Sequence, residues 1–334
     1  MASSSWKVPT PVQELAATLE EPPSRYVLRE KDRPSSPLVA DDMPEPLPVI
    51  NLSRLSEDAA EAAKLEAALQ SWGLVLVTNH GIETSLMDDV MDTSREFFNQ
   101  TLEEKQKYSN LIEGKRFQME GYGNDRVSTE HQILNWNDRL HLKVAPDDER
   151  NYTHWPKHPE SFRDVLHEYT LKTKKIRDNI CSNGQDIGAR FNYYPPCPRP
   201  DLVNGVQPHS DAGVLTILLV DKEIRGLQVQ RDGIWYNVPR KPYTLLINLG
   251  DVMEIMSNGI FKSPVHRVVT NTEKERISLA MFYGVDAENV LEPAAGLLDE
   301  KRPARYRKVE ITDFVAGVHE HFSRGTRFIE SLKI

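Results

Sequence analysis

The chain has 334 residues, 39% of them hydrophobic, which suffices for a substantial core in one large domain or two ordinary ones. A formal charge of −9, from 41 Lys and Arg against 50 Asp and Glu spread along the chain, argues against nucleic acid or an anionic membrane as the main partner. Two cysteines, Cys181 and Cys197, cannot build a disulfide framework for a chain this size, and no segment approaches the ~20 apolar residues of a membrane span. The opening "MASSSWKVPT" lacks an apolar signal core and the closing "SLKI" is not a peroxisomal ending, so a cytoplasmic monomer acting on a small molecule is the expectation.

Residues 1–46 are rich in Pro, Ser and charge and read as an extended lead-in. "LPVINLS" then signals a short strand, and "SEDAAEAAKLEAALQSWG" a helix capped by Ser56 and stopped by Gly73. "GLVLVTNHGI" reads as a buried strand, with His80 in the turn after it. "SLMDDVMDTSREFFNQ" and "PESFRDVLHEYTLKTKKIRDNI" read as amphipathic helices, so residues 47–180 are expected to be mostly helical. Beyond that point the chain turns to short runs rich in Val, Ile, Leu and Tyr. "GLQVQRDGIWYNV" predicts a hairpin around Asp232-Gly233, and "TLLINLGDVMEIMSNG", "SPVHRVV" and "RISLAMFYG" predict further strands. Strands without intervening helices suggest an antiparallel double-sheet jelly roll over residues 181–334, hence an α+β chain, closed by a helix in "TDFVAGVHEHFSRG".

The chemistry concentrates in "QPHSDAGVLTILLVD", where His209 and Asp211 stand at the mouth of an apolar strand. Side chains two apart on a strand share a face, so the pair offers one nitrogen and one carboxylate ligand to the same space. With a second histidine these groups would form the 2-His-1-carboxylate triad of non-haem Fe(II) oxygenases. His266, in the β-rich "SPVHRVV", is the best candidate; His131, His154, His158 and His167 lie in polar segments, and His319 and His321 on the last helix. A lone His-x-Asp is also common by chance, and an isolated buried histidine is usually structural. Downstream, Arg276 and Ser278 are again two apart on a strand, and a guanidinium fork beside a hydroxyl suits a carboxylate. The plainer alternative pairs Arg276 with Glu273 or Glu275 at the surface.

His209-x-Asp211, His266 and Arg276-x-Ser278, preceded by "RFNYYPPCPRPD", together resemble the plant iron(II) and 2-oxoglutarate-dependent dioxygenases, from "LPVINLS" to the end. The resemblance implies a double-stranded β-helix, or jelly roll, with flanking helices. It implies Fe(II) held by His209, Asp211 and His266, and the distal carboxylate of 2-oxoglutarate held by Arg276 and Ser278. It also implies Asn192 and Tyr194 at the co-substrate site, O2 as second co-substrate and ascorbate as support. The reaction implied is oxidative decarboxylation to succinate and CO2, coupled to hydroxylation of a substrate. A zinc hydrolase would leave Arg276-x-Ser278 unused.

A narrower likeness, carried by "FQMEGYGNDRV", "LNWNDRLHLKV" and "GLLDEKRPARYRKV", is to the cereal dioxygenases that oxidise triketone herbicides, inhibitors of hydroxyphenylpyruvate dioxygenase, and to their paralogues. It implies a compact cyclic diketone as substrate, with gibberellin, auxin, salicylate or flavonoid oxidation as the alternative. Phe117, Tyr122, His141, Leu142 and Phe282 are the candidate pocket residues, though aromatics and Leu are more often core. His141 stands where the herbicide-oxidising relatives carry Phe. Between "TKKIRDNI" and "RFNYY" only "CSNGQDIGA" intervenes, where the family has a further helical segment. The alternatives there are a shortened, weakly active or inactive variant, or a harmless closure through an Asn183-Gly184 turn.

Overall fold

The computed structural model describes residues 9–33, 39–40, 43–129, 131–181 and 185–334. Within them the larger of two sheets runs in the order Val49–Asn51, Leu74–Thr78, Leu245–Leu249, Leu215–Val220, Arg276–Gly284, Asp186–Tyr194, Asp138–Ala145, Gly121–Gly123. The smaller runs Val39–Ala40, Ile234–Asn237, Leu227–Arg231, His266–Val268, Val206–His209. Strands from before and after residue 181 thus share one sheet, and the change of texture there does not divide it.

Residue alternation assigns the two faces of the larger sheet. On Asp186–Tyr194, Ile187, Ala189, Phe191 and Tyr193 enter the main core, while Arg190, Asn192 and Tyr194 line a cavity. The core face packs on helices Ala59–Ser71, Thr84–Phe98 and Phe162–Ile180, through Leu69, Phe97, Phe162 and Leu166. Each such side chain contributes roughly 1.5–3 kcal/mol of burial. The core is aromatic where helix meets sheet, with the Phe162 and Phe191 ring centroids 5.2 Å apart.

Several local expectations shift. The helix starting at Ala59 is capped by Asp58, which accepts from the Ala60 and Glu61 amides, and not by Ser56. Gly73 ends that region at φ +69, where a Cβ would also strike the Lys262 carbonyl at 2.2 Å. "TLLINLGDVMEIMSNG" is strand only over Leu245–Leu249; Asp251–Met256 is helical. The Asp232-Gly233 hairpin forms, both residues taking positive φ. The Asn183-Gly184 connection lies outside the described residues.

The lead-in carries structure of its own. Helix Val12–Thr18 docks on the sheet through buried Asp138, whose carboxylate accepts from the amides of Val12 and Gln13, both at 2.8 Å. Charged acceptors of this kind contribute more than neutral ones. Asp138→Ala is expected to cost about 2 kcal/mol and to expose the segment before residue 33 to limited proteolysis while the remaining core stays resistant. Equal cleavage rates in the two proteins would refute the anchor. No helix of the described residues is long and apolar enough to cross a membrane.

Candidate active site

His209 ends one strand of the smaller sheet and His266 begins its antiparallel neighbour, so the two face each other directly in the register. Asp211 joins them from the turn after His209. Ligand atoms of the three lie within 4.8 Å of one another, the Asp211 Oδ1 being 3.6 Å from His209 Nε2 and 3.7 Å from His266 Nε2. Each imidazole is oriented from behind. His209 Nδ1 lies 2.8 Å from the Gln207 carbonyl and His266 Nδ1 3.1 Å from that of Pro264. With Nδ1–H donating to a carbonyl, Nε2 keeps its lone pair for a metal. Burial, and then the neighbouring His266, hold His209 below its usual pKa and so favour the neutral ring.

Asp211 is divided in function between its oxygens. Oδ2 accepts from Thr216 Oγ1 at 2.6 Å and Asn248 Nδ2 at 2.8 Å, which leaves Oδ1 turned to the histidines. Thr216 and Asn248 are opposite one another on adjacent strands of the larger sheet, so a carboxylate that follows a strand of the smaller sheet is anchored to the larger one. Two imidazoles and a carboxylate on one side, with no sulfur, match Fe(II).

On the larger sheet, Tyr194 pairs with Arg276 and Asn192 with Ser278. All four are buried. Arg276 Nε and Nη1 have no partner, although the guanidinium rests 5.1 Å from the Tyr194 ring. A buried cation with orphaned donors facing a cavity is the geometry that a ligand carboxylate completes. Burial raises the Tyr194 pKa, against the opposing pull of the Arg276 and Arg190 charges. Backbone makes room for the arginine at Gly226, where a Cβ would lie 3.2 Å from Arg276 Cδ and 2.8 Å from the Val269 carbonyl. Gly226→Ala is therefore expected to raise the KM of a carboxylate-bearing substrate held at Arg276 about tenfold or more, the equivalent of ~1.4 kcal/mol. Metal affinity is expected to stay unchanged; an unaltered KM would discount the close approach.

The cavity has a volume of ≈ 610 Å³. Phe117, His141 and Phe282 line it, whereas Tyr122 and Leu142 do not. Tyr122 is 2% exposed and Leu142 0%, both in the main core against the helices. Alternation supplies the reason: Leu142 follows His141 and must face the other way, and Tyr122 pairs with Leu140, which is also in the core. The His141 ring stacks at 6.5 Å and 23° on Phe282, and its Nδ1 is buried without a partner. Burial, with Arg139 and Arg190 beside it, keeps this imidazole neutral.

Further residues contribute that sequence reasoning did not single out. Helix Ile311–Ser323 forms one wall, with Phe314, Val318 and Phe322 on the cavity and the Phe322 ring edge-on to His209 at 5.6 Å. Arg327, past that helix, donates to Ser210 Oγ at 2.9 Å and to the Ser263 carbonyl at 3.3 Å, bracing both ligand-bearing segments. Arg190 sits two residues before Asn192 on the same face, a spacing visible in the sequence. Its partner Asp125 comes from a loop with no periodicity to mark it.

Comparison with known proteins agrees with this geometry. Residues 188–285 match the 2OG-Fe(II) oxygenase superfamily, and residues 47–158 the family described as non-haem dioxygenase in morphine synthesis N-terminal. Protein SRG1 of Arabidopsis thaliana is 33% identical, covering 99% of this chain and 98% of its own. Flavonoid 7-O-demethylase 1 of Ocimum basilicum, an oxoglutarate-dependent enzyme, is 35% identical over 99% and 92%. A crystal structure of JOX2 in complex with 2OG, Fe and JA superposes with TM-score 0.87 at 31% identity, covering 98% of each chain. The chain belongs to the plant 2OG-Fe(II) oxygenases, with their double-stranded β-helix and flanking helices. It is accordingly a 2-oxoglutarate-dependent dioxygenase, with Fe(II) as cofactor and 2-oxoglutarate and O2 as co-substrates.

Proposed function

We propose that this enzyme hydroxylates a compact hydrophobic small molecule, with Fe(II) on His209, Asp211 and His266 and the distal carboxylate of 2-oxoglutarate on Arg276 and Ser278. Asn192 and Tyr194 flank the co-substrate. The observation that carries the reading is the triad sharing one cavity with a buried Arg276 whose Nε and Nη1 have no partner. Iron, when bound, supplies the activation of O2 and the oxidative decarboxylation of the 2-oxo acid that yields succinate and CO2. The chain's own groups do the rest. Asn248 and Thr216 orient Asp211, the Gln207 and Pro264 carbonyls hold the imidazoles in one tautomer, and Phe322 and Phe282 exclude water.

For the substrate, the cavity's volume and its Phe117, His141 and Phe282 lining support a cyclic diketone of the triketone herbicide class, oxidised for detoxification. A hormone or specialised metabolite is the second reading, favoured by relatives named for flavonoid and thebaine demethylation and by JA in the JOX2 structure. We further propose a cytoplasmic monomer; two cysteines, too few for a disulfide framework, support a reducing compartment.

Succinate release by protein supplied with Fe(II), 2-oxoglutarate and ascorbate tests both readings, with a triketone and with a panel of hormones and flavonoids, beside His209→Ala. Triketone-stimulated, His209-dependent release supports the first reading, and stimulation by a panel member alone supports the second. Iron-loaded, folded protein that releases none with any compound would favour the inactive variant and direct attention to residues 181–189.

A further inference from the structure

Arg190 projects into the cavity from the strand that also carries Asn192 and Tyr194, yet no two-donor edge of its guanidinium is left free for a ligand. Its Nη1 donates to Asp125 Oδ1 at 2.8 Å and its Nη2 to Asp125 Oδ2 at 3.0 Å, while Nε goes to Asn192 Oδ1 at 2.7 Å. This is the two-bond fork by which a guanidinium takes up a carboxylic acid, occupied by a carboxylate of the chain itself. Asp125 is held there from other sides too, by Asn135 Nδ2 at 3.2 Å and Arg139 Nε at 3.3 Å. Asn135 in turn accepts the Gln207 amide at 2.9 Å, two residues before His209. Burial alone would push the Asp125 pKa up, but Arg190 and Arg139 outweigh it and keep the group firmly ionised. Around the whole cavity, Arg126, Lys143, Arg190 and Arg276 are balanced by Glu120, Asp125, Asp186 and Asp211. Fe(II) and dianionic 2-oxoglutarate cancel each other, so loading the site adds no net cation to pair with an incoming carboxylate.

We propose that Asp125 is a specificity determinant that occupies the Arg190 fork in place of a substrate carboxylate, so that the enzyme takes carboxylate-free molecules and rejects free acids. The inference rests on the cavity being the substrate site. It narrows the second of the substrate readings above, since an ester or a flavonoid without a carboxylate fits and an ionised auxin, gibberellin or salicylate does not. Rejection follows from an unfavourable alternative as well as from a missing attraction: an incoming carboxylate meets Asp125 as a like charge, and displacing Asp125 would break its two paired bonds to Arg190.

The test is equilibrium binding by calorimetry, without O2, to the Fe(II) and 2-oxoglutarate-loaded protein. The probes are 1-naphthylacetate and its methyl ester, which share one apolar skeleton and differ in charge. Wild type is expected to bind the ester at least about tenfold more tightly than the acid, a preference worth ~1.4 kcal/mol. Asp125→Asn is expected to gain at least tenfold in acid affinity, and Asp125→Asn with Arg190→Met to lose that gain. Equal binding of acid and ester by wild type overturns the proposal, as does Asp125→Asn with no gain for the acid, or a double variant that keeps the gain. Asp125→Ala offers a second readout, because acetate is expected to raise its Tm by several degrees and to leave the wild-type Tm unchanged. Acetate without effect on a folded Asp125→Ala protein also overturns it. Turnover is not needed for either measurement, so failure of the dioxygenase reading would show separately as absent succinate.

Discussion

Asp211→Ala is expected to reduce metal affinity by more than about 100-fold and to abolish substrate-stimulated succinate release. Removing an outer group that orients a ligand typically costs 10–100-fold in affinity or activity, so removing a ligand itself lies beyond the upper end of that range. The same ladder predicts intermediate losses for Asn248→Ala and Thr216→Val, which leave Oδ1 in place and free Oδ2 to rotate. Mn(II) titration followed by electron paramagnetic resonance reads the affinity directly. If Asp211→Ala bound metal as tightly as wild type, the carboxylate would be structural, and the two histidines would need another partner.

Arg276→Met should act on the co-substrate and leave the metal alone. Truncating one partner of a buried charge pair costs about 2–5 kcal/mol, and the lower half of that range corresponds to a rise of roughly 30- to 300-fold in the 2-oxoglutarate KM. Stability should respond in the opposite sense. Without co-substrate the guanidinium is buried with Nε and Nη1 unpartnered, so replacing it with an apolar chain of similar length is expected to leave Tm unchanged or raise it. Saturating 2-oxoglutarate stabilises wild type through mass action, about 2.7 kcal/mol at 100 times Kd, and at the same concentration that increment is expected to fall below ~1 kcal/mol in the variant. A variant that lost stability without ligand but kept its KM would mark Arg276 as a structural residue.

Period-two alternation made part of this site legible from sequence alone. His209 with Asp211, Arg276 with Ser278 and Asn192 with Tyr194 are each two apart on an extended segment, and the folded chain turns each pair into the same cavity. The same rule, applied to His141 and Leu142, would have separated them, since neighbours on a strand cannot both face the pocket. Placement of His266 opposite His209 depends on strand pairing across the smaller sheet, which no local pattern encodes. Asp125 was invisible for a related reason: its role exists only through Arg190 and Arg139, which stand on two other strands. Helix Asp251–Met256 escaped notice because its apolar residues continue those of the preceding strand, with only Gly250 between them; a Cβ on that glycine would strike the Gly213 carbonyl at 2.1 Å.

The wall formed by Ile311–Ser323 separates two kinds of evolutionary freedom. Every group proposed to touch iron or 2-oxoglutarate is borne by a sheet strand or the turn after it, whereas Phe314, Val315, Val318 and His319 belong to a single helix laid over the opening. Val315 is already 42% exposed. Exchanges at such a position disturb little packing, so new chemistries can be explored there at nearly constant fold stability while the reaction engine is inherited intact. Duplicated copies of such a gene would diverge first along this helix, and their catalogue of substrates would widen well before their strands changed.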